Sequence, residues 1–74
     1  MRRYKDHSGR EWDAVLGRGS WGVYSLLFVP SGHSEPVREV QLAASSYEAA
    51  LAEFEMLDQR ALDSLFATSN PRND

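Results

Sequence analysis

Three sets of residues in this chain have side chains that could do chemistry. The first, Gly17-Arg18-Gly19-Ser20-Trp21-Gly22, is a literal G-x-G-x-x-G. In a dinucleotide-binding fold those glycines bring a helix N-terminus up to a pyrophosphate, inside a βαβ unit of about 30 residues. Here the motif is followed by Trp21 to Val29, an aromatic and β-branched run with the pattern of a strand. The glycines therefore read as a hairpin loop.

The second set is His7 and His33 with the nearby hydroxyls Ser8, Ser31 and Ser34. Neither histidine has a partner at metal-ligand spacing, and the chain has no cysteine. Serine–histidine–aspartate combinations can be drawn, but a chain this short leaves little room for a desolvated cleft with several convergent polar groups. We expect no catalytic residues, no cofactor and no metal, and read the chain as a non-enzyme.

The third set interleaves cations with aromatic rings: Arg2, Lys5, Arg10 and Arg18 with Trp12, Trp21 and Tyr24. Small β domains hold single-stranded nucleic acid on surfaces of this kind, by stacking and phosphate contact. Arg10, Trp12, Arg18 and Trp21 would be the contacts. Against this stand a net charge of −3 and the competing use of Trp12 and Tyr24 as core. Nucleic-acid binding is thus the alternative reading.

A fourth set has no reactive groups. Trp21, Val23, Leu27 and Val29 alternate with Tyr24, Leu26 and Phe28 along the strongest strand pattern. If Tyr24, Leu26 and Phe28 face the core, the first set faces away from it, and Val15 and Val37 can join it from neighbouring strands. A contiguous apolar patch of that kind marks an interaction surface. The leading expectation is a non-catalytic protein–protein interaction module, or an accessory subunit of a larger assembly. Its partner is a protein, either a second copy or a larger complex.

The elements that must position these residues follow from periodicity. Tyr4–Asp6 reads as a short strand, and His7-Ser8-Gly9 as a turn. Arg10–Leu16 alternates with period two, Gly17–Ser20 breaks the pattern, and Trp21–Val29 ends at Pro30-Ser31-Gly32. Val37–Leu42 alternates again, with Val40 and Leu42 opposite Glu39 and Gln41. From Ser45 the period becomes helical: Ser45-Ser46-Tyr47-Glu48 has the capping-box pattern, and Tyr47, Ala50, Leu51, Phe54 and Leu57 recur on one face. Asp58 is placed to cap a second helix carrying Leu62, Leu65 and Phe66, with Leu57 stapled onto Leu62. The expected architecture is α+β: a three- to four-stranded antiparallel β-meander followed by two short C-terminal helices packed on one face. Residues 1–69 form one domain, and residues 70–74 a polar tail expected to fray.

Composition is consistent with that frame. Seventy-four residues make one domain with a thin core, and no disulfide staples it. Hydrophobic residues at 42% separate it from disordered chains. No apolar run is long enough to span a bilayer, and no secretory signal is visible, so a cytoplasmic location is expected. Charge is uneven: residues 1–20 hold five basic against three acidic side chains, and residues 46–66 hold five acidic against Arg60 alone.

Tyr4-x-Asp6-x-x-Gly9-Arg10-x-Trp12 at one end and Leu57-Asp58-x-x-x-Leu62-x-x-Leu65-Phe66 at the other resemble a group of small uncharacterised bacterial proteins. Those proteins open with a Tyr-x-Asp-x-x-Gly-Arg-x-Trp hairpin and close with an acidic, leucine-spaced helix. The resemblance implies a bacterial, cytoplasmic accessory domain, and it carries over no activity and no site residues.

Overall fold

The computed structural model describes residues 2–19 and 22–72. It is an α+β fold with one five-stranded antiparallel sheet in the order β1-β2-β3-β4-β5. The strands are β1 (Arg2–Lys5), β2 (Glu11–Arg18), β3 (Tyr24–Ser31), β4 (Arg38–Gln41) and β5 (Asn70–Pro71), with α1 (Tyr47–Met56) and α2 (Gln59–Thr68) between the last two. Four strands form the expected meander, and the helices cover one face.

The β1–β2 hairpin is held by one carboxylate. Asp6 accepts from the Ser8 amide at 2.9 Å, Ser8 Oγ at 2.7 Å, the Arg10 amide at 3.0 Å and Trp12 Nε1 at 2.9 Å. Gly9 supplies the positive φ of 86° that the turn needs. Asp6, expected at the end of the first strand, instead closes the turn: its amide donates to Arg10 O and its carbonyl accepts from the Gly9 amide, both at 3.0 Å, and its side chain organises the corner.

Two strand boundaries differ from the periodicity reading. β2 continues through Gly17 and Arg18, which pair with Ser25 and Tyr24. A Cβ on Gly17 would meet Leu27 Cγ and Cδ1 at 3.0 Å, so the glycine makes room for Leu27 and does not break the strand. β3 starts at Tyr24 and runs through Pro30. Pro30 is tolerated because β4 pairs only with Ser25–Phe28, so no partner on that side requires its missing N–H.

The core lies between sheet and helices. Tyr4, Trp12, Ala14, Tyr24, Leu26, Phe28, Leu42, Ala50, Phe54 and Leu62 are buried, with Leu57 and Phe66 packed against them. Phe66 ties α2 to the sheet through ring contacts at 5.3 Å to Tyr4, 5.1 Å to Trp12 and 5.0 Å to Phe28. Tyr4 Oη donates to Asp63 at 2.6 Å, and burial together with that bond raises the phenol's pKa above its ordinary value.

Both helices are capped, the first one residue later than expected. Ser46, not Ser45, accepts from the Ala49 amide at 3.3 Å, which leaves Glu48 at the second helical position and forms no capping box. Asp58 caps α2 as its pattern indicated, accepting from Ala61 at 2.8 Å.

The tail expected to fray is a strand over Asn70–Pro71, paired with Arg38 and Glu39. Its anchor is Arg38, whose Nε donates to Ser69 Oγ at 2.8 Å and whose Nη2 donates to the Ser69 carbonyl at 2.6 Å. The Arg72 amide then donates to Val37 O at 2.7 Å.

Candidate interaction surface

Strand register sorts the side chains onto two faces. Arg2, Tyr4, Trp12, Ala14, Leu16, Arg18, Tyr24, Leu26, Phe28, Arg38 and Val40 share the helix side. Arg3, Lys5, Glu11, Asp13, Val15, Gly17, Ser25, Leu27, Val29, Glu39, Gln41 and Asn70 share the other. No described helix packs on this second face. The shortest Cα dimension of the molecule, 19 Å, holds one sheet and one helix layer, since a further layer adds about 10 Å.

At the centre of that face Val15 lies beside Leu27 and Asp13 beside Val29. The three apolar side chains are half-buried, and Ser25 on the same face is buried. On the β1 side, Arg3 Nη1 pairs with Glu11 and Arg3 Nε with Asp13 at 3.1 Å. On the β4 side stand Glu39, Gln41 and Asn70, bordering a hollow of about 600 Å³ that also takes in Val23, Ser25 and Thr68. Among the described residues, neither the Lys5 ammonium nor the Glu39 carboxylate has an ion-pair partner.

Of the expected interface residues, Leu27 and Val29 share this face. Val23 precedes β3, half-buried, with its carbonyl accepting from the Gly19 amide at 2.8 Å. Trp21 lies outside the described residues. Val15, which the sequence pattern adds to this patch from the neighbouring strand, is central. Its signal was the period-two pattern of β2.

The described members of the nucleic-acid set, Arg10, Trp12 and Arg18, do not form one surface, and Trp21 lies outside the described residues. Trp12 is a core residue, only 2% exposed, covered by Phe66 and His33 and bonded to Asp6, so neither ring face is open for stacking. Arg10 and Arg18 are exposed at opposite ends of β2, about 26 Å apart at the usual rise per residue. Arg10 lies 3.6 Å from Glu35. Arg2 is turned to the helix side, where Nη1 donates to Phe54 O at 3.0 Å.

His33 and the motif's Gly17 and Gly22 have structural roles. His33 packs edge-on against Trp12 at 4.7 Å, and its Nε2 donates to Glu11 O at 2.9 Å. His7 is exposed in the first turn. Gly17 lies within β2, and Gly22, with φ of 73°, leads into β3 instead of a helix. Among the described residues no cluster of acidic, histidine or cysteine side chains could hold a metal ion, and no helix is long and apolar enough to cross a membrane.

Comparison of the chain with known protein families, with curated proteins and with solved structures finds no match.

Proposed function

We propose that this protein is a non-catalytic interaction module whose open sheet face docks a second copy of the chain. The observation that carries this reading is the Val15–Leu27–Val29 centre on a face with no described helix over it. A thin single core gains most from burying such a patch. Charge placement favours self-association. Lys5 lies on β1 and Glu39 on β4, at opposite margins of one apolar centre. A two-fold axis in the sheet plane, parallel to β3, lays the β1 margin of each copy over the β4 margin of the other. The axis sets each Lys5 margin against a Glu39 margin twice over, as an isologous interface requires, with the two groups offset by four residues, about 13 Å, along β3. An accessory domain working in the cytoplasm, the role that the resemblance of the chain's two ends implies, has the same need for such a face.

The solution mass, measured by light scattering after size exclusion over a concentration series, tests this. A dimer that dissociates on Leu27→Glu while the monomer stays folded is the expected result. A parent protein that is monomeric at every concentration overturns the self-dimer and turns the face toward a different protein. A monomer that fails to capture any partner through Leu27 removes the interaction reading.

A further inference from the structure

We propose that the cleft between Tyr24 and Tyr47, with Arg18 at its rim, binds a planar aromatic ring carrying a carboxylate or a phosphate. This cleft lies on the helix side of the sheet, away from the open face, and encloses about 320 Å³. Its lining is Leu16, Gly17, Arg18, Tyr24 and Tyr47. That volume is at the lower end of small-molecule sites, enough for one or two fused rings.

The two tyrosine rings stand 6.3 Å apart at 57°, a V and not a closed stack. Tyr24 is nearly buried and fixes one wall, whereas Tyr47 is 55% exposed. Tyr47 and Met56 are the large hydrophobic side chains left exposed among the described residues. Nothing in α1 requires a ring at position 47. Ser46 provides the cap, and Ala50 and Phe54 provide the buried face. The exposed part of Tyr47 is therefore available to an incoming ring, with Leu16 also lining the cleft.

Arg18 supplies the charge. Among the described residues it makes no hydrogen bond and no ion pair, unlike Arg2, Arg3, Arg10 and Arg38. Its register position opposite Tyr24 puts it on the same face as the cleft. A planar guanidinium accepts a carboxylate or phosphate through paired N–H donors and also stacks on rings, so one residue can read both halves of an aromatic anion. The tyrosine hydroxyls add polar groups to a mostly apolar lining, which is the usual make-up of such a site.

The experiment is a two-dimensional ¹H–¹⁵N NMR titration of the full chain with indole-3-acetate and with adenosine 5′-monophosphate. Neutral indole and adenosine serve as controls. Saturable shifts centred on Leu16, Tyr24 and Tyr47 with an anionic probe are expected, and the tighter of the two probes identifies the anion. Arg18→Gln should weaken that binding about fivefold or more, and Tyr47→Ala should abolish it with the remaining spectrum unchanged. The proposal is overturned by equal binding of the neutral compounds, by an unchanged affinity in Arg18→Gln, or by absence of shifts at about 10 mM of either anion. None of these readouts depends on the open face, and the solution mass does not depend on them.

Discussion

Leu26 and Leu27 are neighbours in β3 and live in different environments. Leu26 points at the helices among Phe28, Ala14 and Tyr24 and is fully buried. Leu27 points the other way, lies across Gly17 and keeps part of its surface in water. The same contrast runs across the whole sheet. On the helix side the cations Arg2 and Arg38 each lie over an aromatic ring, Phe54 at 5.9 Å and Phe66 at 5.2 Å. On the open side Arg3 on β1 is tied to Glu11 and Asp13 on the neighbouring β2. One face is finished by packing within the chain, whereas the other is framed by charge around an apolar centre. The first face sets stability, and the second is the one we propose for association.

The largest effect should come from emptying the finished face. Trp12→Ala removes the ring that joins Asp6, His33 and Phe66, and should cost about 3–5 kcal/mol in urea unfolding, enough to unfold much of so small a domain. The neighbouring pair gives the sharper comparison. Leu26→Ala should cost about 2–5 kcal/mol, and Leu27→Ala about 1 kcal/mol in the dilute monomer. Equal losses at low concentration would break the distinction between the two faces. A Leu27→Ala loss that grows with protein concentration would assign the extra part to the dimer.

Alternation was enough to read these faces from the chain. Tyr24, Leu26 and Phe28 separate from Leu27 and Val29 by period two alone, and the capping residue of α2 is legible from Asp58 and the apolar spacing behind it. What escaped was decided by contacts distant in sequence. Asn70 and Pro71 have no strand character of their own. They pair with β4 because Arg38, 31 residues earlier than Ser69, clamps the end of α2. Gly17 looks like a breaker until Leu27 is known to occupy the space a Cβ would take. Trp12 is equally suited to a stacking surface or a core, and only the position of Phe66 decides between them. The Tyr24–Tyr47 cleft was not legible either, because it joins a strand to a helix start 23 positions away, and neither tyrosine is unusual where it stands.

The Asp6 turn sits at the edge of the finished face and gives it a pH dependence. Partial burial works to raise this carboxyl's pKa, but the bonds from Trp12 Nε1, Ser8 and the Arg10 amide outweigh it and hold the pKa down at about 2. A pKa lowered in the folded state contributes stability that is complete above the unfolded value near 4. It is lost as pH falls from about 4 to about 2. Allowing for solvent screening, the contribution is about 1–2 kcal/mol. Asp6→Asn should remove most of that acid dependence from the unfolding midpoint measured between pH 5 and pH 2. An unchanged slope would place the acid sensitivity elsewhere. In the same range of size, Asp58→Ala should cost about 1 kcal/mol by leaving the Ala61 amide without its acceptor, read in the same urea titration.

The smallest expected effect bears most directly on what covers the open face. Arg3 bridges Glu11 and Asp13, and its own side chain is 58% exposed. An ion pair this wet contributes little to stability, and added salt weakens it further. In the dilute monomer Arg3→Gln should therefore barely move the unfolding midpoint. If a second copy covers the face, the same three charges lose water, and an Arg3→Gln variant leaves two carboxylates under the partner without their cation. The substitution should then raise the dimer dissociation constant by about tenfold or more while the monomer's stability stays the same. An Arg3→Gln dissociation constant equal to the parent's would mean that β1 stays in solvent. The two-fold axis would then have to lie elsewhere on the sheet, with Leu27 and Val29 still at its centre.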